Sequence, residues 1–167
     1  MKKLFLTAIA VVTLTTVNAQ TDQGSFLIET NIANQMVGTT SFALQSYDGE
    51  TAYSLGVDGG YFIMDDLAIK VGLGYASNSV TDENVFSYRL GAKYYLMGNI
   101  PLTLDYTGAS IKDLDENPSW VGIGAGYAIF LGSNVSIEPG LRYNLTMNDK
   151  FSKENLLQFN IGFALHF

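Results

Sequence analysis

Asn160-Ile161-Gly162-Phe163-Ala164-Leu165-His166-Phe167 is the stretch on which the reading of this chain turns. Together with Gln158 and Phe159 it alternates without a break. Phe159, Ile161, Phe163, Leu165 and Phe167 fall on one side, and Gln158, Asn160, Gly162, Ala164 and His166 fall on the other. Side chains of a β-strand point alternately to its two faces, so the stretch predicts a strand with a wholly apolar face backed by a small or polar one.

Working back along the chain, the same two-sided pattern recurs seven times. The first segment sets Phe26, Ile28, Thr30 and Ile32 against Leu27, Glu29, Asn31 and Ala33, and a connection rich in Thr, Ser and Gly follows from Gln35 to about Glu50. The second sets Tyr53, Leu55, Val57 and Tyr61 against Ser54, Gly56, Asp58 and Gly60, then turns tightly around Met64-Asp65-Asp66. The third opposes Leu67, Ile69, Val71, Leu73 and Tyr75 to Ala68, Lys70, Gly72, Gly74 and Ala76, with a polar loop from Ser77 to Asn84. The fourth has Phe86, Tyr88, Leu90, Ala92, Tyr94 and Leu96 opposite Ser87, Arg89, Gly91, Lys93 and Tyr95, and ends at the turn residues Gly98-Asn99-Ile100-Pro101. The fifth carries Leu102, Leu104 and Tyr106 against Thr103, Asp105 and Thr107, and a loop runs from Gly108 to Ser119. The sixth has Val121, Ile123, Ala125, Tyr127 and Ile129 over Gly122, Gly124, Gly126 and Ala128, and turns at Gly132-Ser133-Asn134. The seventh sets Val135, Ile137, Pro139, Leu141, Tyr143 and Leu145 against Ser136, Glu138, Gly140, Arg142 and Asn144, and a loop from Met147 to Asn155 leads into the closing strand. Pro139 cannot donate to a ladder, so an irregularity is expected there.

Long and short connections alternate along these eight strands. All short turns then lie at one end and all long loops at the other, which predicts an all-β, eight-stranded antiparallel up-and-down transmembrane β-barrel with both termini at the short-turn end.

Composition agrees. The 167 residues suffice for one domain, and only 15% are charged, against about 25% in an ordinary soluble domain. Something other than a water-facing surface must cover much of the outside. No internal run of about 18 apolar residues exists, so a helix cannot do the spanning. The absence of cysteine excludes disulfides, thiolate metal sites, cysteine nucleophiles and a lipid-modified N-terminal cysteine.

Lys2 and Lys3 precede an apolar run from Leu4 to about Val17, and Val17-Asn18-Ala19 suits a signal peptidase. Residues 1–19 are therefore expected to be a cleaved signal peptide, with residues 20–167 forming the barrel domain from Gln20 onward. Losing the two lysines takes the formal charge from −7 to −9, and an acidic chain of this kind offers nothing to nucleic acid.

A secreted soluble barrel would turn its apolar side inward. Here the opposite side is mostly Gly, Ala, Ser, Thr and Asn, which would solubilise poorly but fits the narrow interior of eight strands. Tyr61, Tyr94, Tyr127, Phe163 and Phe167 fall near the short-turn ends, and Tyr53, Tyr75, Phe86, Tyr88, Tyr106 and Tyr143 fall toward the long loops. Two aromatic girdles bounding an aliphatic band suit a bilayer, so the apolar side is expected outside.

The closing stretch also resembles the C-terminal signal of bacterial outer-membrane barrels. That signal runs polar, any, glycine, two of any, hydrophobic, any, aromatic, and Asn160, Gly162, Leu165 and Phe167 fill its set places. The chain as a whole is similar to the small porin-like outer-membrane barrels of the OmpA and OmpX type, in pattern, hairpin layout and terminal signal. The resemblance implies location in the outer membrane of a Gram-negative bacterium, a monomer among outer-membrane lipids, and a final strand read by the barrel assembly machinery. It brings no catalytic motif and no cofactor. With neither linker nor periplasmic domain after Phe167, the barrel alone is expected.

Inside, Glu29, Asp58, Asp105 and Glu138 balance Lys70, Arg89, Lys93 and Arg142. An unpaired charge in a low-dielectric interior is expensive, so the balance predicts mutual pairing and not a filter of one sign. Asp58 and Lys70 are equidistant from Met64, and Lys93 and Asp105 from Asn99, so each pair is expected to face across its hairpin. His166, the one histidine, is expected inward at the short-turn mouth as a polar residue without a catalytic part. Gly122-Ile123-Gly124-Ala125-Gly126 lacks nucleotide-loop spacing and reads as a strand face kept small, giving room to Arg142 or Tyr95. Asp113-Leu114-Asp115-Glu116-Asn117 opens like a calcium loop but has Pro118 and Gly124 where that motif needs glycine and glutamate, leaving an acidic loop with at most a weak divalent-ion contact.

The functional expectation is a non-enzymatic barrel filled by side chains, acting in envelope structure or surface contact through long acidic loops. The alternative is a narrow passive channel, or an OmpW-like route for small apolar molecules.

Overall fold

A computed structural model describes residues 21–32, 42–47, 50–79, 83–112 and 116–167. The expected signal peptide lies outside the described residues. Among these residues there are ten strand segments and no helix: β1 (Phe26–Ile32), β2 (Ala43–Tyr47), β3 (Glu50–Met64), β4 (Leu67–Asn78), β5 (Glu83–Leu96), β6 (Ile100–Ile111), β7 (Ser119–Gly126), β8 (Ile129–Phe130), β9 (Val135–Thr146) and β10 (Leu156–His166). They make eight barrel strands, because two of the eight are interrupted.

The first interruption separates β1 from β2. Both run antiparallel along the same edge of β3, Glu29 opposite Asp58 and Ala43 opposite Ser54, and the Phe42 N–H donates to the Asn31 carbonyl at 3.1 Å. Ala43–Tyr47, within the expected long first connection, is thus strand. The second interruption separates β7 from β8. Gly126 faces Gly140 and Ile129 faces Ile137, so one register continues across Tyr127 and Ala128. Tyr127 lies opposite Pro139 and donates to its carbonyl at 3.0 Å, and proline has no N–H to return the bond. This is the irregularity expected at Pro139.

Closure comes from β1, which pairs with β3 on one side and with β10 on the other, Leu27 to His166 through Ile32 to Ile161. Every described ladder is antiparallel, and the apolar faces point outward, away from the lumen. Tyr61, Tyr94 and Tyr127 ring the short-turn end, and Tyr53, Tyr75, Tyr88, Tyr106 and Tyr143 the other, all exposed. The strands overrun the upper girdle, so the connection after β4 is shorter than the sequence suggested.

Turn geometry decides which interior charges meet. In the β3–β4 hairpin a bulge at Ile63 and a left-handed Asp66 (φ 64°) place Asp58 opposite Gly72 and Lys70 opposite Gly60. In the β5–β6 hairpin Met97 (φ 56°) and Gly98 (φ 75°) form the turn, placing Asp105 opposite Gly91 and Lys93 opposite Thr103. Both registers differ by two residues from those expected, because moving a turn centre by one residue moves each partner by two.

The small interior face is a steric requirement at particular points. A Cβ at Gly91 would lie 2.6 Å from the Leu104 carbonyl oxygen and 2.8 Å from the Asp105 Cα, so the wall itself would have to move. Gly91→Ala is expected to cost about 1–3 kcal/mol in urea unfolding of the reconstituted barrel. Gly59→Ala, whose Cβ meets nothing nearer than 4.0 Å, is the neutral control.

Candidate functional site

The interior is filled in three layers. The middle one is ionic, and it contains all eight charged residues expected to face inward. Glu29 Oε2 accepts from Lys70 Nζ at 2.9 Å and from Lys93 Nζ at 2.8 Å, and Lys93 also bonds Glu138. Asp58 Oδ2 lies 2.7 Å from Arg89 Nη1 and 3.0 Å from Lys70 Nζ. Asp105 takes a hydrogen bond from Arg142 Nη2 and lies 3.8 Å from Arg89 Nε. None of the eight side chains is more than 7% exposed. The charges form a chain of shared partners, in which each cation compensates a buried carboxylate.

Of the two pairs expected across hairpins, Asp58 and Lys70 do meet, diagonally. Lys93 and Asp105 do not pair: the shifted β5–β6 register leaves Lys93 to Glu29 and Glu138, and Asp105 to the two arginines. Gly122 supplies the room expected for Arg142, since a Cβ there would fall on the guanidinium.

Below this layer, at the short-turn end, lies an aromatic floor. Phe62 and Tyr95 are fully buried with ring centres 6.1 Å apart, and His166 stacks on Phe62 at 6.3 Å and meets Phe130 at 5.5 Å. Leu27, Ala68, Ala128 and Ala164 complete it. Tyr95 is tied upward, its hydroxyl donating to Glu138 Oε1 at 2.8 Å. His166 is therefore a wall of the floor, completely buried, and not a residue at an open mouth. Its Nε2 lies 3.1 Å from Ser136 Oγ, a pair whose chain separation hides it from the sequence. That hydroxyl donates to Glu138 Oε1 at 2.7 Å, so it can only accept from the imidazole. A serine whose proton is committed to a carboxylate, beside a histidine that donates to it, is not an activated nucleophile. Phe62 was legible by parity, lying one residue from the outward Tyr61.

Above the ionic layer the filling is polar. Asn144 Nδ2 donates to Gln158 Oε1 at 2.7 Å, Thr107 is buried, and Trp120 sits edge-on to Phe151 at 6.4 Å. Two loops are tied together over Trp120: Glu116 accepts from Lys150 Nζ at 3.0 Å and from Asn148 Nδ2 at 3.3 Å, and Asn148 also bonds the Asn117 carbonyl at 2.9 Å. In the calcium-like stretch, Asp113 to Asp115 lie outside the described residues, and Asn117 Oδ1 accepts from the Ile111 N–H.

The hydrogen bonds from Lys150 and then Asn148 hold the Glu116 carboxyl below its usual range. A carboxyl more acidic in the folded state favours folding at neutral pH and loses that contribution as pH falls through its lowered value. The loop clamp is thus expected to loosen only in acid, and Lys150→Ala to return Glu116 toward ordinary carboxylate titration, read by NMR.

The residues of the C-terminal pattern divide by face. Asn160 and Gly162 point inward, and Gly162 lies between Asn31 and Glu138 on the adjoining strands. Leu165 and Phe167 point outward, and Phe167 exchanges backbone hydrogen bonds with Phe26 at 2.6 and 3.0 Å, at the closing seam. A cavity of about 60 Å³ lies within the ionic layer, between Arg142, Lys93, Asn160 and the glycines of β7 and β9. It has room for a few water molecules.

No family model matches the chain, and no curated protein matches it. Among solved structures it is similar to the N-terminal β-barrel domain of Pseudomonas aeruginosa OprF, with 18% identity, 87% of this chain and 98% of that chain covered, and a TM-score of 0.51. The Yersinia pestis outer membrane protein Ail matches at 14% identity over 87% of this chain and 100% of that one, with a TM-score of 0.49. Neisserial surface protein A matches at 18% over 86% and 96%, with a TM-score of 0.47. The OprF likeness is one of fold, and it agrees with the exterior: the chain is an eight-stranded transmembrane β-barrel.

Proposed function

We propose that the protein is a non-enzymatic integral barrel of the bacterial outer membrane, plugged along its axis, that acts in envelope structure or surface contact through its long-loop end. The observation that carries this is the three-layer filling. A solute would have to part the floor, break the shared ion pairs and displace Trp120. Eight strands leave an interior just wide enough for side chains, and here side chains occupy it. Glu116 joins two of the loops at the outer end through Lys150 and Asn148, and Glu83, Asp149 and Glu154 keep that end acidic. Asn160, Gly162, Leu165 and Phe167 are proposed as the signal read by the barrel assembly machinery, and outer-membrane lipids as the surrounding partner.

A narrow channel is the second reading, favoured by the cavity within the charged layer. Proteoliposome swelling separates the two. Folded protein is expected to leave small sugars excluded, and swelling above that of protein-free vesicles would overturn the plugged reading.

A further inference from the structure

The short-turn end breaks two backbone rules to display apolar side chains. The bulge in β3 turns both Ile63 and Met64 outward, at 40% and 59% exposure. Met97 takes a left-handed conformation that asparagine or glycine adopts at far lower cost, and it is 84% exposed at the tip of its turn. Leu96, beside Met97 on the same hairpin, and Leu131, on the turn between β8 and β9, are exposed as well. A turn in water would carry polar residues at such places.

The spacing of the girdles says what covers these side chains. Tyr53 and Tyr61 are eight residues apart, as are Phe86 and Tyr94. At about 3.3 Å per residue and a tilt of about 40°, eight residues rise about 20 Å, while the apolar band of such barrels is about 25 Å tall. The shortfall must be met beyond one girdle. Past the upper girdle β4, β5 and β6 continue on their outward faces as Ser77, Asn84 and Ser110, all polar, and beyond Tyr143 one apolar side chain, Met147, is exposed. Past the lower one lie the five apolar residues just named, with the polar tips Asp65, Ser133 and Asn134 among them at headgroup depth.

We infer that the short turns are a lipid-binding surface, immersed in the acyl and headgroup boundary of the adjoining leaflet, with Met64 and Met97 as anchors. In the outer-membrane reading this is the periplasmic leaflet, and that assignment alone rests on the proposed function. The aromatic floor then faces phospholipid at its rim, and partners meet the barrel from the long-loop end.

The chain has no cysteine, so single cysteines carrying an environment-sensitive fluorophore are clean probes. Met97→Cys, Met64→Cys, Val71→Cys at mid-band and Lys153→Cys on the upper loop would be reconstituted in vesicles of acyl-brominated phosphatidylcholine. The labels at 97 and 64 are expected to be quenched by bromine nearly as strongly as that at 71, and to be severalfold less accessible to an aqueous quencher than that at 153. Quenching at 71 with aqueous accessibility at 97 and 64 equal to that at 153 would overturn the inference while leaving the membrane barrel standing. Absence of bromine quenching at 71 as well would overturn both. A label at 97 disturbs the backbone least where methionine already bears the strain, and position 64 supplies the reading if the variant at 97 fails to fold.

Discussion

Lys93→Met is expected to lower the stability of the reconstituted barrel by about 3–5 kcal/mol, the cost typical of removing one partner from a buried ion pair. The lysine Nζ bonds Glu29 and Glu138, and the side chain is 1% exposed. Methionine keeps most of the volume, so the loss isolates charge from packing. Two carboxylates then stand in the interior with Glu29 left to Lys70 and Glu138 left to the hydroxyls of Tyr95 and Ser136. Removing the opposing charge as well, in Lys93→Met with Glu138→Gln, is expected to recover part of the loss, since a neutral amide needs no counter-ion. Urea unfolding followed by tryptophan fluorescence measures both. A loss under about 1 kcal/mol for the single variant would mean that water reaches the layer.

Phe62→Ala is the second large effect, again about 3–5 kcal/mol, because a fully buried ring leaves a cavity its neighbours fill only in part. Tyr95 and His166 pack on that ring from other strands, so neither can follow it inward without losing its own partners. Phe86→Ala, an exposed girdle residue on β5, is the comparison, and its cost in the same assay is expected to be clearly smaller. Equal losses would show that the floor is no tighter than the lipid-facing surface.

Strict alternation made the barrel legible. The strand faces, the eight inward charges and the girdles all follow from parity, which a side chain on a strand cannot escape. The turns were less legible. Nothing in Leu96-Met97-Gly98-Asn99 announces that methionine takes the left-handed place ahead of glycine, and that single choice sends Lys93 to Glu138 instead of Asp105. The bulge at Ile63 moved the position opposite Asp58 by two as well, yet Lys70 still reaches Asp58 diagonally. Contacts across the lumen were out of reach altogether: Lys93 meets Glu138, and Tyr95 meets His166, only once the ring is closed and its stagger set. Part of the first long connection was read as loop because Ala43 to Tyr47 is short and follows Thr- and Ser-rich sequence, whereas its pairing with β3 is what makes it a strand.

Single-channel recording on refolded protein in a planar bilayer tests the central claim most directly, with heat-modifiable gel migration establishing that the barrel is folded. A plugged interior predicts silence from folded wild type across the ordinary voltage range. Steady, discrete openings from folded wild-type protein would contradict it.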